Sequence, residues 1–212
     1  GLPDGSMMRL TVARYYTPTG RSIQKSYENG FDEYLADLAS RYVRGEYLHA
    51  DSISFPDSLK YKTLETRRTV YGGGGIMPDI FVPADTSGYS DYYRELLQRG
   101  ILNRFMLDYV DTNRKKLLNN YPDFDHFNRN FRVNNRLMEE LVAFAEKDRL
   151  AREPEQIERS GEQIALVVKA LIARDLWDTS EYFQVINQDD PVLLRTLELL
   201  ENTPAFNRIL GY

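Results

Sequence analysis

The stretch that decides the fold is Ile164-Ala165-Leu166-Val167-Val168-Lys169-Ala170-Leu171-Ile172, in the last third of a 212-residue chain. Within it Ile164, Val167, Val168, Leu171 and Ile172 recur at intervals of three and four residues, which places them on one face of a helix. A stripe of this kind predicts a long helix that buries one side in a core.

Two earlier segments repeat this spacing and predict further core helices. Their stripes consist of Leu102, Phe105, Met106, Tyr109 and Val110, and of Leu137, Leu141, Phe144 and Ala145. Downstream, Asp190 followed by Pro191 has the chemistry of an N-cap and first helical residue. The helix that follows is predicted to turn Leu193, Leu194, Leu197 and Leu200 inward. From residue 87 onward we therefore expect four to six helices.

The N-terminal residues, 1–24, have a different pattern, typical of extended structure. Met8, Leu10 and Val12 alternate with polar neighbours, which predicts a strand with one buried face. Pro18 and Gly20 suit the second and fourth positions of a turn, so we expect a tight turn over Thr17–Gly20. Two more extended pieces are predicted at Thr66–Tyr71 and Ile76–Pro83.

Residues 25–65 lie between these extended pieces as a partly helical insertion. Phe31, Tyr34, Leu35, Leu38 and Tyr42 have helical spacing after Asn29-Gly30, and the remainder is predicted to be loop. The chain is thus expected to be α+β and predominantly α-helical, with a strand-rich domain at 1–86 and a helical domain at 87–212.

Composition excludes several functional classes. The chain has no cysteine, which excludes disulfides, thiolate catalysis and cysteine-based zinc sites. Its net charge of -5 argues against a nucleic-acid module, and no apolar run is long enough to span a bilayer. One stretch is both basic and aromatic, and we interpret it as a helix pair with an aromatic core and solvated arginines rather than an RNA-stacking surface. It contains Phe124, Phe127, Arg129, Phe131, Arg132 and Arg136.

Other motifs that could carry chemistry have structural explanations. Ser22-Ile23-Gln24-Lys25 matches a Ser/Lys nucleophile motif, but it follows a turn in extended chain, so no helix would bring the two side chains together. Gly72–Gly75 is not followed by the Lys-Ser/Thr pair of a phosphate loop. His49 and His126 lack partners at ligand spacing. We therefore predict no metal or other cofactor and no catalytic residue in this chain.

Two segments resemble the signature of the carboxy-terminal processing peptidases, or tail-specific proteases. The first is Leu10–Gln24, which reads LTVARYYTPTGRSIQ and is preceded by the similar stretch LPDGS at Leu2–Ser6; the second is Gly74–Ile80, GGIMPDI. The positions that carry the resemblance are Tyr15, Tyr16, Thr17, Pro18, Gly20, Arg21, Gly75, Ile76, Pro78 and Asp79.

The resemblance implies a serine endopeptidase that cleaves polypeptides near their C-termini. In that family a serine attacks the scissile bond, a lysine acts as general base, and a PDZ domain captures the substrate; all precede the first signature segment. The resemblance therefore implies that this chain begins after the catalytic dyad, is inactive alone, and belongs to a periplasmic or cell-envelope protein. A strand edge that normally pairs with the peptidase core would be exposed in the isolated chain, which favours edge-paired or swapped homo-oligomers. The signature residues would shape turns behind the active site, with Arg21 bonded to Asp79.

A second hypothesis involves no peptidase. Residues 87–212 could form a helical module that binds a partner or mediates oligomerisation. The sequence leaves both hypotheses open.

Overall fold

The computed structural model describes residues 2–10, 12–73 and 75–212, and at position 38 the backbone alone. Helices make up 57% of the chain, and the described part also contains two short antiparallel strands. The expected fold class, α+β and predominantly α-helical, is confirmed. Contacts divide the chain into a hairpin unit, which comprises residues up to Ala84 together with Glu198–Tyr212, and a helical unit, Asp85–Leu197.

The hairpin unit contains one long helix and one small sheet. Helix α1 spans Phe31–Val43, and strands β1, Lys60–Lys62, and β2, Thr69–Tyr71, pair antiparallel with Tyr61 opposite Val70. Helix α9, Thr203–Leu210, ends at Gly211 in a left-handed conformation. The adjoining Tyr212 hydroxyl donates a 2.8 Å hydrogen bond to the Glu65 carboxylate. The C-terminal residue is thereby tied to the turn between β1 and β2.

Some extended pieces that the sequence predicts are not strands. Residues 8–10 and 12 form no ladder, and the side chains of Met8, Leu10 and Val12 are 71%, 73% and 87% exposed. Thr11 lies outside the described residues. Ile76–Pro83 is also irregular, whereas the Thr66–Tyr71 prediction is confirmed for β2. A period-2 pattern shows which face of an extended segment is apolar, but a strand also needs an adjacent strand to pair with its backbone groups. These segments have no such strand among the described residues.

The predicted helix in the insertion is confirmed as α1, but the described apolar side chains on it are not a core. Phe31, Leu35 and Tyr42 are exposed, and Tyr34 is half-buried against the ring of Tyr27, with ring centroids 4.2 Å apart. Val70 is the one large apolar side chain of the hairpin unit, among the described residues, that is buried. Burial of apolar surface therefore contributes little to holding this unit together.

The helical unit is built on a different principle, with one continuous apolar core. Its helices are α2 (Asp91–Gln98), α3 (Ile101–Asn120), α4 (Phe124–Asn130), α5 (Asn135–Lys147), α6 (Pro154–Leu176) and α7 (Thr179–Ile186). Helix α8, Pro191–Glu201, follows after a 3₁₀ turn, and its residues up to Leu197 belong to this unit. The predicted stripes on α3, α5 and α6 are confirmed as core faces, with Met106, Leu141 and Ile164 each at most 1% exposed. The count of four to six helices is too low, because short loops divide the region into more segments.

Capping residues fix where several of these helices begin. The Ser90 hydroxyl accepts from the Tyr93 amide at 3.2 Å and also from the buried Ser160 hydroxyl at 2.7 Å, which joins the start of α2 to α6. The Asn134 side chain accepts from the Leu137 amide at 3.0 Å. Each cap satisfies an amide that has no partner within its helix.

The start of α8 confirms one sequence prediction and corrects another. The Asp190 carboxylate accepts from the amides of Val192 and Leu193 at 2.8 and 3.1 Å, as an N-cap should. The prediction that its leucines face inward is wrong for Leu194, Leu197 and Leu200, which are exposed, whereas Leu193 is half-buried. Periodicity shows that a helix has an apolar face, but the face is buried only where another element covers it.

The basic and aromatic stretch forms a helix pair with a buried aromatic cluster, as predicted. Phe127 is fully buried, its ring stacks on Phe131 at 4.6 Å, and it meets the ring of Trp177 at 5.3 Å. The arginines Arg129 and Arg132 remain exposed. The rings of Phe127 and Phe131 are thus part of the core, unlike the exposed rings on which bases stack in single-stranded RNA-binding surfaces.

Tyr92 gives the helical unit a pH-dependent stability. The side chain is 2% exposed, and its hydroxyl has no hydrogen-bond partner among the described residues. Burial, followed by the negative charge of Glu146, raises the pKa of Tyr92 to about 12. An unfolded tyrosine titrates near pH 10. The free energy that the protonated Tyr92 phenol contributes to folding is therefore fully present below pH 10 and is lost as pH rises toward 12.

We predict that Tyr92→Phe flattens this alkaline loss. Removal of a buried hydroxyl without a partner should leave the free energy of unfolding at pH 7 unchanged or raise it by about 1 kcal/mol. Between pH 10 and 12 the wild type should lose about 2 to 3 kcal/mol more than the variant. Urea unfolding followed by Trp177 fluorescence measures both. Tyr89→Phe, at a more exposed tyrosine, is the control, and identical pH profiles for wild type and Tyr92→Phe would contradict the prediction.

Candidate functional site

The first signature segment forms the tight turn that the sequence predicts. The amide of Gly20 donates to the carbonyl of Thr17 at 2.8 Å, and the amide of Thr17 donates to the carbonyl of Arg21 at the same distance. Gly20 has a φ of 87°, a left-handed conformation that glycine adopts without a steric penalty. Tyr16 and Ser22 form an isolated bridge across the turn. The turn is closed by its own backbone, independently of any sheet.

Arg21 connects this turn to the sheet. Its guanidinium donates to the Thr19 hydroxyl at 3.2 Å and to the carbonyl of Tyr71, at the end of β2, at 3.3 Å. A guanidinium can satisfy several acceptors in a fixed planar geometry, which suits it to joining a loop to a strand end. The first signature segment is therefore held against β2.

The second signature segment is attached at the other end of β2. The carboxylate of Asp79 forms an ion pair with Arg68, the residue before β2. The predicted bond between Arg21 and Asp79 is wrong: among the described contacts, each of these two side chains binds to β2 or to the residue beside it. A three-residue strand thus links the two segments indirectly, a connection that sequence reasoning missed because residues 25–65 separate the hairpin from the first segment.

The other signature residues are mostly at the surface. Tyr15, Tyr16, Ile76 and Pro78 are exposed, Thr17 and Gly75 are half-buried, and Pro18 lies exposed within the turn. Gly74 lies outside the described residues. Their assignment as scaffold residues stays a prediction.

The described glycines of the run before the second segment are closely packed. The amide of Gly72 donates to the carbonyl of Leu59 at 2.9 Å, and a Cβ on Gly72 would lie 3.0 Å from the ring of Tyr61. Gly73 has a φ of 91°, and a Cβ there would overlap a methyl carbon of Leu59. The absence of side chains allows this loop to lie directly on the residues at the start of β1.

The Ser22 and Lys25 side chains are directed to separate partners. The Ser22 hydroxyl donates to the carbonyl of Gln24 at 2.9 Å, and the Lys25 amine lies 3.3 Å from the carboxylate of Asp37 on α1. Asp37 also pairs with Arg41. A general base must be within hydrogen-bond reach of the nucleophile. Ser22 and Lys25 are thus bound to different partners, and these contacts do not form a catalytic dyad.

A small cleft beside Lys25 brings both signature segments close to the insertion helix. Its volume is about 120 Å³, and it is lined by Ile23, Gln24 and Lys25, by Tyr34, Asp37 and Arg41 of α1, and by Gly75. The ion pairs of Asp37 attach α1 to the chain that leaves the first turn. Sequence analysis predicted the helix but not this role, because charges four residues apart show a polar face without identifying what it binds.

His126 and the acidic residue Glu139 are held by local packing and ion-pair contacts. The ring of His126 packs near Tyr121, with centroids 5.8 Å apart, and its backbone amide is capped by Asp123. Glu139 forms a two-bond pair with Arg152, which lowers the pKa of Glu139. Within residues 2–10, 12–73 and 75–212, no group of three or more His, Asp or Glu side chains is placed to hold a metal ion. No helix in this part of the chain is both long and apolar enough to cross a membrane.

Comparison with known proteins gives one match. Residues 92–178 match a family of unknown function, DUF8443. The matched segment is less than half of the chain and covers α2 to α6 apart from the first residue of α2. Neither the curated proteins nor the solved structures include a significant match.

We predict that Gly73→Ala opens the hairpin. The substitution places a methyl group against Leu59 and requires a left-handed backbone, at a cost of about 1 to 3 kcal/mol. Hydrogen exchange of the amides in residues 59–72, followed by mass spectrometry, should become at least about fivefold faster. Gly30→Ala is the matched control, since Gly30 also has a positive φ but no atom within 4 Å of a Cβ. Equal exchange in the wild type and Gly73→Ala would show that the close packing has no consequence.

Proposed function

We propose that this chain is the C-terminal portion of a serine endopeptidase of the Ser/Lys type, which processes polypeptides near their C-termini. In this proposal the chain contributes scaffold and no catalytic group. The observation that carries it is that the two segments resembling the protease signature converge on β2, through Arg21 at one end and Asp79 at the other. Two short motifs that are distant in sequence but fixed to one strand are consistent with a shared structural task.

The described contacts of the lysines in the hairpin unit give no support for a catalytic base in that unit. A lysine acts as general base when desolvation or a neighbouring cation favours its neutral form. In the hairpin unit, Lys25 and Lys60 lie against carboxylates, and the amine of Lys62 donates to the Thr69 hydroxyl. In this proposal the serine and lysine of the reaction precede the first signature segment, as the family resemblance implies.

The exposed apolar residues before the first turn support a partner surface for the peptidase core. Met7, Met8, Leu10 and Val12 are all strongly exposed. Their alternating pattern is that of a half-buried strand, and an adjacent sheet would satisfy both the backbone groups and the apolar side chains. In this proposal the sheet belongs to the peptidase core, which carries the dyad, a PDZ domain and the polypeptide substrate. A periplasmic or cell-envelope location follows from the same family resemblance.

The helical unit favours a second candidate function, a helical module for interaction or oligomerisation. Its core is complete within Asp85–Leu197, and the family match lies wholly inside it. Such a module could act without a peptidase. Light scattering of the purified gene product would support this alternative if it showed an oligomer together with no peptidase activity.

We predict that Arg21→Ala impairs peptide cleavage by the gene product that contains this sequence. Loss of the bond from Arg21 to the Tyr71 carbonyl should misplace the turn and lower kcat/KM about 10- to 100-fold for a fluorogenic peptide with a free apolar C-terminus. Arg14→Ala, at an exposed arginine near the same turn, is the control and should retain activity.

The same assay should show no cleavage by residues 1–212 alone. Cleavage by this chain would refute the assignment of the dyad to another part of the protein. A gene product with an intact fold, no activity and no reaction with serine-directed inhibitors would refute the peptidase proposal itself.

A further inference from the structure

The helical unit contains an open cleft of about 350 Å³ between α3 and the start of α5. Three cationic side chains line it, Lys116 from α3, Arg132 from the link between α4 and α5, and Arg136 from the first turn of α5. One carboxylate, Glu140, is also present. Three cations and one anion give the lining a net charge of +2, in a chain whose overall charge is -5.

Two of these cations have no compensating carboxylate. Glu140 accepts from the guanidinium of Arg136 at 2.9 Å, one helical turn away. Among the described residues, neither Lys116 nor Arg132 has a carboxylate oxygen within 4.0 Å. One nitrogen of the Arg132 guanidinium donates to the carbonyl of Phe131 at 2.8 Å, which orients the group and leaves its other donors available.

A further cation, Lys169, interacts with Arg132. The amine of Lys169, on α6, donates to the carbonyl of Asn128 at 2.6 Å and forms no ion pair among the described contacts. Burial first, and then the positive charge of Arg132, lower the pKa of Lys169. Cations that disfavour one another cost stability. An anion bound between Lys116 and Arg132 would offset that cost.

Neutral hydrogen-bond donors complete the lining. Burial is the main cause of the raised pKa of Tyr109, so its phenol is protonated at neutral pH and can donate. Thr112 contributes a second hydroxyl. The oxygen of Asn134 caps α5, which leaves its amide nitrogen as a donor beside the cleft. A single oxyanion with several acceptor oxygens matches this set of donors.

We propose that this cleft binds the phosphate group of a small phosphate monoester, with Lys116 and Arg132 as its principal charged contacts. A phosphate monoester carries about -1.5 to -2 charges at pH 7 and three strong acceptor oxygens, which match the net charge and the several donors of the lining. A carboxylate has half that charge. Nucleic acid fits less well, because the nearby Phe127 and Phe131 rings are buried and cannot stack on bases.

The volume also favours a small ligand. Clefts of about 300 to 1,000 Å³ accommodate small molecules, whereas a protein partner needs a much more extended surface. The carbon skeleton attached to the phosphate would lie against the polar rim. The proposal concerns only the helical unit and is independent of the peptidase proposal.

A titration of the full chain with glycerol 3-phosphate, followed by ¹⁵N–¹H NMR at pH 7.5, tests this site. Saturable shifts are expected at the amides of Arg132, Asn134 and Arg136, and they should weaken as salt is added. Lys116→Gln and Arg132→Gln should each weaken binding at least about tenfold. Lys115→Gln is the matched control, an exposed lysine on the same helix that does not line the cleft, and it should bind like the wild type.

Parallel titrations with inorganic phosphate and with acetate show which chemical class of anion the cleft binds. Tighter binding of glycerol 3-phosphate than of inorganic phosphate would show that the cleft also contacts the carbon skeleton. Equal binding would show that the cleft contacts the phosphate group alone. Both results support the proposal. Equal binding of acetate, equal weakening by Lys115→Gln, or no saturable shift at millimolar ligand would overturn it. Thermal unfolding of each variant at or above the temperature of the wild type confirms that the fold is intact.

Discussion

Burial of one face of α6 is the constraint on which the helical unit depends. Ile164, Val168 and Ile172 are at most 1% exposed, and this face packs against α2, α3 and α7. Small residues at Ser160 and Ala173 keep the helix surfaces close, and the hydroxyl of Ser160 joins the cap of α2. Apolar side chains of this size each stabilise the folded state by about 1.5 to 3 kcal/mol when fully buried. Helix α3, which lines the cleft that we propose as a phosphate site, is one of the helices packed against α6.

The hairpin unit is held together by polar contacts and close backbone packing instead. Arg21 binds to the end of β2, Arg68 binds Asp79, and Gly73 lies against Leu59, whereas Val70 is the one buried large apolar residue described. Exposed ion pairs of this kind contribute about 0 to 1 kcal/mol each. They can fix geometry, but they supply little of the free energy that a stable fold needs. The peptidase proposal gives this unit a role in which an adjoining core would supply the missing burial.

Sequence predicted the features that depend on local chemistry or on a strong period. The stripes of α3, α5 and α6, the turn at Thr17–Gly20 and the cap at Asp190 all follow from spacing and side-chain type. Burial that depends on packing against another element was not predictable in this way. Met8, Leu10, Val12 and Leu197 have the spacing of buried residues but are exposed. The cationic cleft was also missed, since Arg132 and residues of α3 meet only after the helices pack. The arginines themselves were correctly predicted to face solvent.

The central claim is that the two units differ in how they are stabilised, and hydrogen exchange of the intact chain at neutral pH tests it most directly. Amides within α6 should exchange on the order of 10³-fold or more slowly than unprotected amides, because they open only when the apolar core does. Amides of Met7–Leu10 should exchange within about tenfold of the unprotected rate, since no described ladder protects them. Comparable protection in both segments, or rapid exchange throughout α6, would contradict the account.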